Sequence, residues 1–97
     1  MQLLRNLFSR KANKPAVNLY RCPCCGCRTL LERGGFDICP VCFWEDDGQD
    51  DQDADDVQGG PNGELSLTQA RPNYKEFGAC DRRHLTSVRS PKPDELV

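Results

Sequence analysis

Apolar positions are sparse along this chain and fall in short, separated groups. Leu3, Leu4, Leu7 and Phe8 recur at helical spacing, with Arg5 and Asn6 between them. That pattern predicts a short amphipathic helix of about two turns, marginal unless it docks on something. Asn13-Lys14-Pro15-Ala16 reads as a linker. Thr29-Leu30-Leu31-Glu32 predicts a strand, Arg33-Gly34-Gly35 a turn, and Phe36-Asp37-Ile38 a returning strand. Residues 45–56 hold eight acids and are followed by Gly59-Gly60-Pro61-Asn62-Gly63, which predicts solvated loop. Ser66 with Gln69 forms a capping-box pattern, and Leu67, Ala70, Tyr74 and Phe77 share one face of the helix that follows. Gly78 is its natural stop, while Pro72 lies inside it and predicts a bend or loosening. A short helical turn is expected near Asp81–Leu85, and Ser90-Pro91-Lys92-Pro93 opens a polar, extended tail.

Composition sharpens the picture. Ninety-seven residues allow one domain, and 37% apolar content is below the usual ~45–50% of soluble domains. Such a chain buries a small core and needs a staple. The net charge of −2 hides three blocks: +6 over residues 1–31, −10 over 32–64 and +2 over 65–97. An acidic balance of this kind argues against a general nucleic-acid binder. No run approaches the ~18 apolar residues of a membrane span.

The staple is in the cysteines. Cys22, Cys24, Cys25, Cys27, Cys39 and Cys42 cluster, and Cys80 stands apart. An odd number without a secretory leader points to a reducing, cytoplasmic setting rather than a disulfide scaffold. Cys22-Pro23-Cys24-Cys25-Gly26 contains C-P-x-C-G, and Cys39-Pro40-Val41-Cys42 repeats C-P-x-C. Each is read as a knuckle aiming two thiolates at one centre, with the 29–38 hairpin between them bringing the knuckles together. Cys22, Cys25, Cys39 and Cys42 are therefore the expected metal ligands, in a tetrahedral four-thiolate site. Zinc is the default ion, and iron in a rubredoxin-like site is the alternative. Cys24 and Cys27 form a competing, overlapping pair. It is set aside because ligation by Cys22 and Cys25 leaves Gly26 where the turn under the metal needs a glycine. Cys80 is read as a small buried hydrophobe, and His84 as a surface residue. Phe43-Trp44 is expected to pack between the metal site and the helix. Asp51-x-Asp53-x-Asp55 lacks the glycine and final glutamate of a calcium loop. No Ser-His-Asp order, Walker loop, G-x-G-x-x-G or H-E-x-x-H is present.

The stretch CPCCG…RTL…ERG…ICPVCFWEDDG…GGPNG…SL…AR…NYKEFGAC resembles the cysteine-rich CPCC family of small bacterial proteins, over roughly residues 19–90. The resemblance implies a metal-binding domain without an assigned activity, and it adds architecture more than function. Cys22, Cys24, Cys25, Cys39, Cys42, Phe43-Trp44-Glu45-Asp46 and the Cys80 region match family positions. Cys27 and Pro72 depart from the family pattern.

The expected fold is a small metal-stabilised α+β domain: a zinc-ribbon-like β-hairpin with two C-P-x-C knuckles, followed by a C-terminal α-helix. The chain divides into a basic amphipathic extension (1–18), a CPCC-type zinc-binding domain (19–88) and a polar tail (89–97). The expected function is a non-enzymatic, structural zinc site supporting a protein-interaction module, with another protein as partner. Two alternatives stand beside it: a thiol–disulfide protein using Cys39 and Cys42, or a nucleic-acid-binding ribbon. The sequence assigns no oligomeric state.

Overall fold

A computed structural model of the protein describes residues 15–97. The amphipathic helix expected over Leu3–Phe8 lies outside the described residues. Within them the chain is a small α+β domain with an antiparallel two-strand hairpin, one α-helix and a cluster of four cysteines. Strand β1 (Tyr20–Arg21) pairs with β2 (Arg28–Leu30), Tyr20 facing Leu30 and Arg21 facing Arg28. Helix α1 (Leu67–Phe77) follows the acidic segment, and the other elements among the described residues are short 3₁₀ turns set in irregular chain. No helix among the described residues is long and apolar enough to cross a membrane.

The pairing differs from the expected hairpin. Residues 29–32 and 36–38 form no ladder with each other. Instead β2 returns on β1 around the first cysteine turn, and Ile38 bridges Glu45 around the second. Each Cys-x-x-Cys turn thus closes its own antiparallel pair. The cause lies in the Arg33–Gly35 turn, which wraps a side chain instead of capping two strands. Gly34, at φ 71°, donates its N–H to the Asp46 carboxylate at 2.6 Å, and Phe36 N–H goes to the Asp46 carbonyl at 2.9 Å.

Asp46 is fully buried, contrary to a solvated reading of the acidic run. Its carboxylate also accepts from Arg33 Nε and from Gly48 N–H, both at 3.2 Å. Arg33 reaches on to Asp50 at 2.9 Å and, foremost by that bond, holds the Asp50 carboxyl below its ordinary range. Buried Gln49 donates to the carbonyls of Asp53 and Asp56. Asn62 does for Glu45 what a third strand would do. Its Oδ1 accepts the Glu45 N–H and its Nδ2 donates to the Glu45 carbonyl, each at 2.9 Å. Buried polar groups are tolerated when bonded in this way, and here they replace an apolar core under the loop.

Helix α1 forms as its capping box requires. Ser66 Oγ accepts from Gln69 N–H at 3.2 Å, and Gln69 Oε1 accepts from Ser66 N–H at 3.0 Å. Gly78 ends the helix in the left-handed region at φ 87°, its N–H bonded to Tyr74 O. Pro72 stays inside the helix on an exposed face, where its missing donor leaves only the Thr68 carbonyl without a helical partner. Leu67 and Ala70 are fully buried against Leu30, Val41, Trp44 and six cysteines.

The tail packs on the domain. Arg89 grips buried Glu95 through two 2.8 Å bonds, and Arg21 and Arg28 both donate to the Val97 main-chain oxygen. The Arg89 bond is the first cause that lowers the Glu95 carboxyl. A carboxyl depressed by folding adds stability above its unfolded pKa, and loses it as pH falls through the folded value.

Asp46→Ala removes a buried acceptor serving Arg33 and two backbone donors. We expect a loss of about 3 kcal/mol in denaturant unfolding at neutral pH. A change within ~0.5 kcal/mol would show that the carboxylate does not organise the turn.

Candidate metal centre

The two cysteine turns are built alike, bond for bond. In the first, Cys22 N–H bonds Cys27 O and Gly26 N–H bonds Cys22 O, both at 2.8 Å. In the second, Cys39 N–H bonds Trp44 O at 3.0 Å and Phe43 N–H bonds Cys39 O at 2.8 Å. Residues 22–27 therefore match 39–44 position by position. Gly26 and Phe43 correspond, and both lie in the left-handed region, at φ 80° and 70°. Glycine takes that conformation freely, whereas phenylalanine is strained there. The Phe43 ring stacks on His84, with centroids 4.3 Å apart, which anchors the segment after α1.

This correspondence brings Cys22, Cys25, Cys39 and Cys42 together, all sulfurs lying within 4.8 Å of one another. Each turn supplies two, and the close pairs run between turns. Cys22 Sγ lies 3.6 Å from Cys42 Sγ, and Cys25 Sγ 3.6 Å from Cys39 Sγ. A sulfur–sulfur bond is about 2.05 Å, so these are not disulfides. A regular tetrahedron with metal–sulfur bonds of ~2.3 Å has sulfur–sulfur edges of about 3.8 Å. The cluster has the dimensions of a four-thiolate metal site.

Its electrostatics ask for a cation. The Cys22 sulfur foremost, followed by Cys39 at Cys25 and by Cys24, Cys25 and Cys39 at Cys42, pushes the Cys25 and Cys42 thiols above their ordinary value. Cys22, Cys25 and Cys42, with Thr29, pull Cys39 far down. Four sulfurs this close cannot all be thiolates without a positive centre to offset their mutual repulsion. Polar hydrogens already aim at them. Thr29 Oγ1 lies 3.0 Å from Cys39 Sγ, and N–H groups of Val41, Trp44 and Cys27 approach Cys39, Cys42 and Cys25 at 3.4, 3.5 and 3.5 Å. Such outer contacts orient ligand sulfurs and spread their charge. Cys22, Cys39 and Cys42 are fully buried, and Cys25 is half-buried. These four can hold a metal ion.

The remaining cysteines occupy packing positions. Cys24 corresponds to Val41 and Cys27 to Trp44, and both are buried in the sulfur-rich core. Burial is the first cause that raises the Cys27 thiol. Cys80 is fully buried, donates its N–H to Cys42 O at 2.8 Å, and is pushed by burial up to about 12. Trp44 is fully buried in the core with the cluster sulfurs and α1 residues, and half-buried Phe43 packs against that core with its ring stacked on His84. His84 is half-buried rather than superficial. The outer contact from Thr29 escaped the sequence reading. An alternating Thr29-Leu30 strand carries no mark that its hydroxyl faces a sulfur.

A family model described as cysteine-rich CPCC matches residues 20–95. No curated protein and no solved structure matches the chain.

Two predictions test the centre. Serine at position 22, 25, 39 or 42 should each abolish metal retention through gel filtration, while Cys24→Ser, Cys27→Ser and Cys80→Ser retain it. Retention by any of the first four variants refutes the ligand set. Gly26→Ala meets no atom within 4 Å, so its cost is conformational only. We expect a loss of about 1–2 kcal/mol with metal retained, read by denaturation and metal content.

Proposed function

The chain belongs to the cysteine-rich CPCC family, and from that premise we propose that it is a non-enzymatic zinc protein, its four-cysteine site supporting a protein-interaction module. The carrying observation is the tetrahedral spacing of Cys22, Cys25, Cys39 and Cys42, drawn equally from two turns of one design. The paired turns support a zinc-ribbon-like arrangement of two knuckles. Zinc suits the donor set because it takes four thiolates without geometric preference from its d-shell. Four protein sulfurs fill its coordination sphere and leave no position for a reacting water, the property of a structural site. When bound, the ion supplies the dication that lets all four cysteines ionise.

The protein's own groups do the rest. Thr29 and three main-chain N–H groups orient the sulfurs, while Trp44, Leu30 and Leu67 exclude water. A reducing, cytoplasmic setting fits seven cysteines that are all free thiols. A thiol–disulfide role for Cys39 and Cys42 has less support, because both sulfurs are fully buried and the turn between them leads into no helix.

Metal content and the visible spectrum give the first test: one zinc per chain without colour supports the reading, and a coloured iron centre overturns it. Chelation gives the second. Structural-zinc affinity, on the order of 10–16 kcal/mol, is largely folding energy. Removing the metal should shift Trp44 fluorescence and collapse amide dispersion in one transition, and added zinc should restore both. An apo chain that keeps dispersed amides, with disorder confined to the two turns, contradicts a structural role.

A further inference from the structure

The four cluster cysteines are not equally sheltered. Cys22, Cys39 and Cys42 are buried, whereas Cys25 is half-buried and is the one an outside reagent can reach. Held as a metal-bound thiolate, this sulfur is in the form that attacks oxidants. Cys39 is further quenched by the Thr29 hydroxyl at 3.0 Å and the Val41 N–H at 3.4 Å. Cys25 receives only the longer contact from Cys27 N–H, at 3.5 Å.

A second thiol stands beside that sulfur. Cys27 is 2% exposed, and its sulfur is in hydrogen-bonding contact with the Cys25 and Tyr74 side chains. The second turn has no counterpart, because the equivalent position there is Trp44. Cys24 is engaged with Cys42 instead. Gly26 joins Cys25 to Cys27 at φ 80°, and a Cβ built on it would meet no atom within 4 Å. Glycine accepts the backbone rotation needed to bring two sulfurs two residues apart to a bond of about 2.05 Å, and open space surrounds it here.

We propose that Cys25 is a peroxide-modification site, resolved by Cys27 into a Cys25–Cys27 disulfide that withdraws one ligand from the metal centre. The consequence for the metal rests on the reading of the four-cysteine site given above, while the pairing of the two sulfurs does not. The Cys25 thiolate attacks one peroxide oxygen, the O–O bond breaks and hydroxide leaves. Cys25 is thereby oxidised by two electrons to a sulfenic acid, and the peroxide is reduced. The Cys27 sulfur then attacks the Cys25 sulfur. The S–S bond forms, the S–O bond breaks, and the hydroxyl leaves with the Cys27 proton as water. With the first hydroxide protonated by solvent, one peroxide gives one disulfide and two waters. Cys39, whose sulfur is 3.6 Å from that of Cys25, is a poorer resolving group, since its use would remove a second ligand. Cys27 stands outside the ligand set.

The test treats the full zinc-loaded chain with equimolar hydrogen peroxide and follows zinc release with a chromogenic chelator. Differential alkylation before and after reduction, read by tandem mass spectrometry, maps the first disulfide. Cys25 and Cys27 should be the first pair protected, zinc should be lost as they close, and dithiothreitol should restore both thiols and zinc binding. In Cys27→Ser, dimedone should trap Cys25 as its sulfenic acid, while Cys24→Ser should behave as the wild type. Any other first pair, Cys25–Cys39 and Cys22–Cys42 included, overturns the proposal. So does full zinc retention by a chain carrying the Cys25–Cys27 disulfide. Mapping of the unaltered chain decides the pairing even where a variant fails to fold. A chain purified without zinc that still closes Cys25 on Cys27 first contradicts the metal reading and upholds the pairing.

Discussion

Four sulfurs held 3.6–4.8 Å apart set the terms for the rest of the molecule. Two thiolates at such a distance repel by about 4 kcal/mol even at an effective dielectric near 20. Six such pairs cannot be balanced by the packing of a small domain. A metal cation at the centre would turn that repulsion into net attraction. This matters beyond the site because cysteines make up half of the buried cluster, with Leu30, Val41, Trp44, Ala54, Leu67 and Ala70 as the remainder. The apolar core and the candidate metal site are one object. Leu30 belongs to β2, Val41 and Trp44 to the second turn, and Leu67 to α1, so these three parts of the chain meet the cluster sulfurs in one core.

The repeated turn explains how so short a chain places four ligands with little regular structure. Each turn is rigid by its own main-chain bonds, so placing the two against each other sets the mutual geometry of all four sulfurs. The positions between and after the ligands are then free to differ. Cys24 and Val41 occupy one equivalent pair, Cys27 and Trp44 another. At the Gly26–Phe43 pair the second turn accepts a strained residue, costing about 1–2 kcal/mol, and the ring reaches His84 in return. The repeat is therefore used twice for the metal and once for anchoring the segment after α1.

What could be read in the sequence was local. The C-P-x-C spacings, the Ser66–Gln69 box and the Gly78 stop each depend on residues within a few positions, and the structure shows the corresponding turns and helix. Strand pairing was not local. Thr29-Leu30-Leu31 and Phe36-Asp37-Ile38 alternate well enough to pair with each other, yet the cysteine turns offered both segments a closer partner. Asp46 could not be told from its seven acidic neighbours, because only its place opposite Arg33 and Gly34 makes it a core residue. Asn62 sat in a glycine-rich stretch that resembles any loop. Its role as partner to Glu45 depends on a contact seventeen residues away.

The buried polar residues also change how the charge of the chain must be weighed. Residues 32–64 carry a net −10, which read alone describes a strong field for a basic partner. Two of those acids, Asp46 and Asp50, are engaged by Arg33, and Asp51 faces Arg71 at 2.9 Å. Arg71 meanwhile holds the carbonyl of Pro23 at 2.8 Å, so one guanidinium ties α1 to both the first cysteine turn and the acidic loop. Part of the negative block thus works inward, as the counter-charge that docks the helix onto the sulfur cluster. What remains for an outside partner is the rest of the exposed set, Asp55, Asp56 and Glu64 foremost. Steering by these few exposed charges falls off within a Debye length of ~8 Å at physiological salt. A partner held firmly at this domain must therefore draw its affinity from apolar contact, with charge setting its approach.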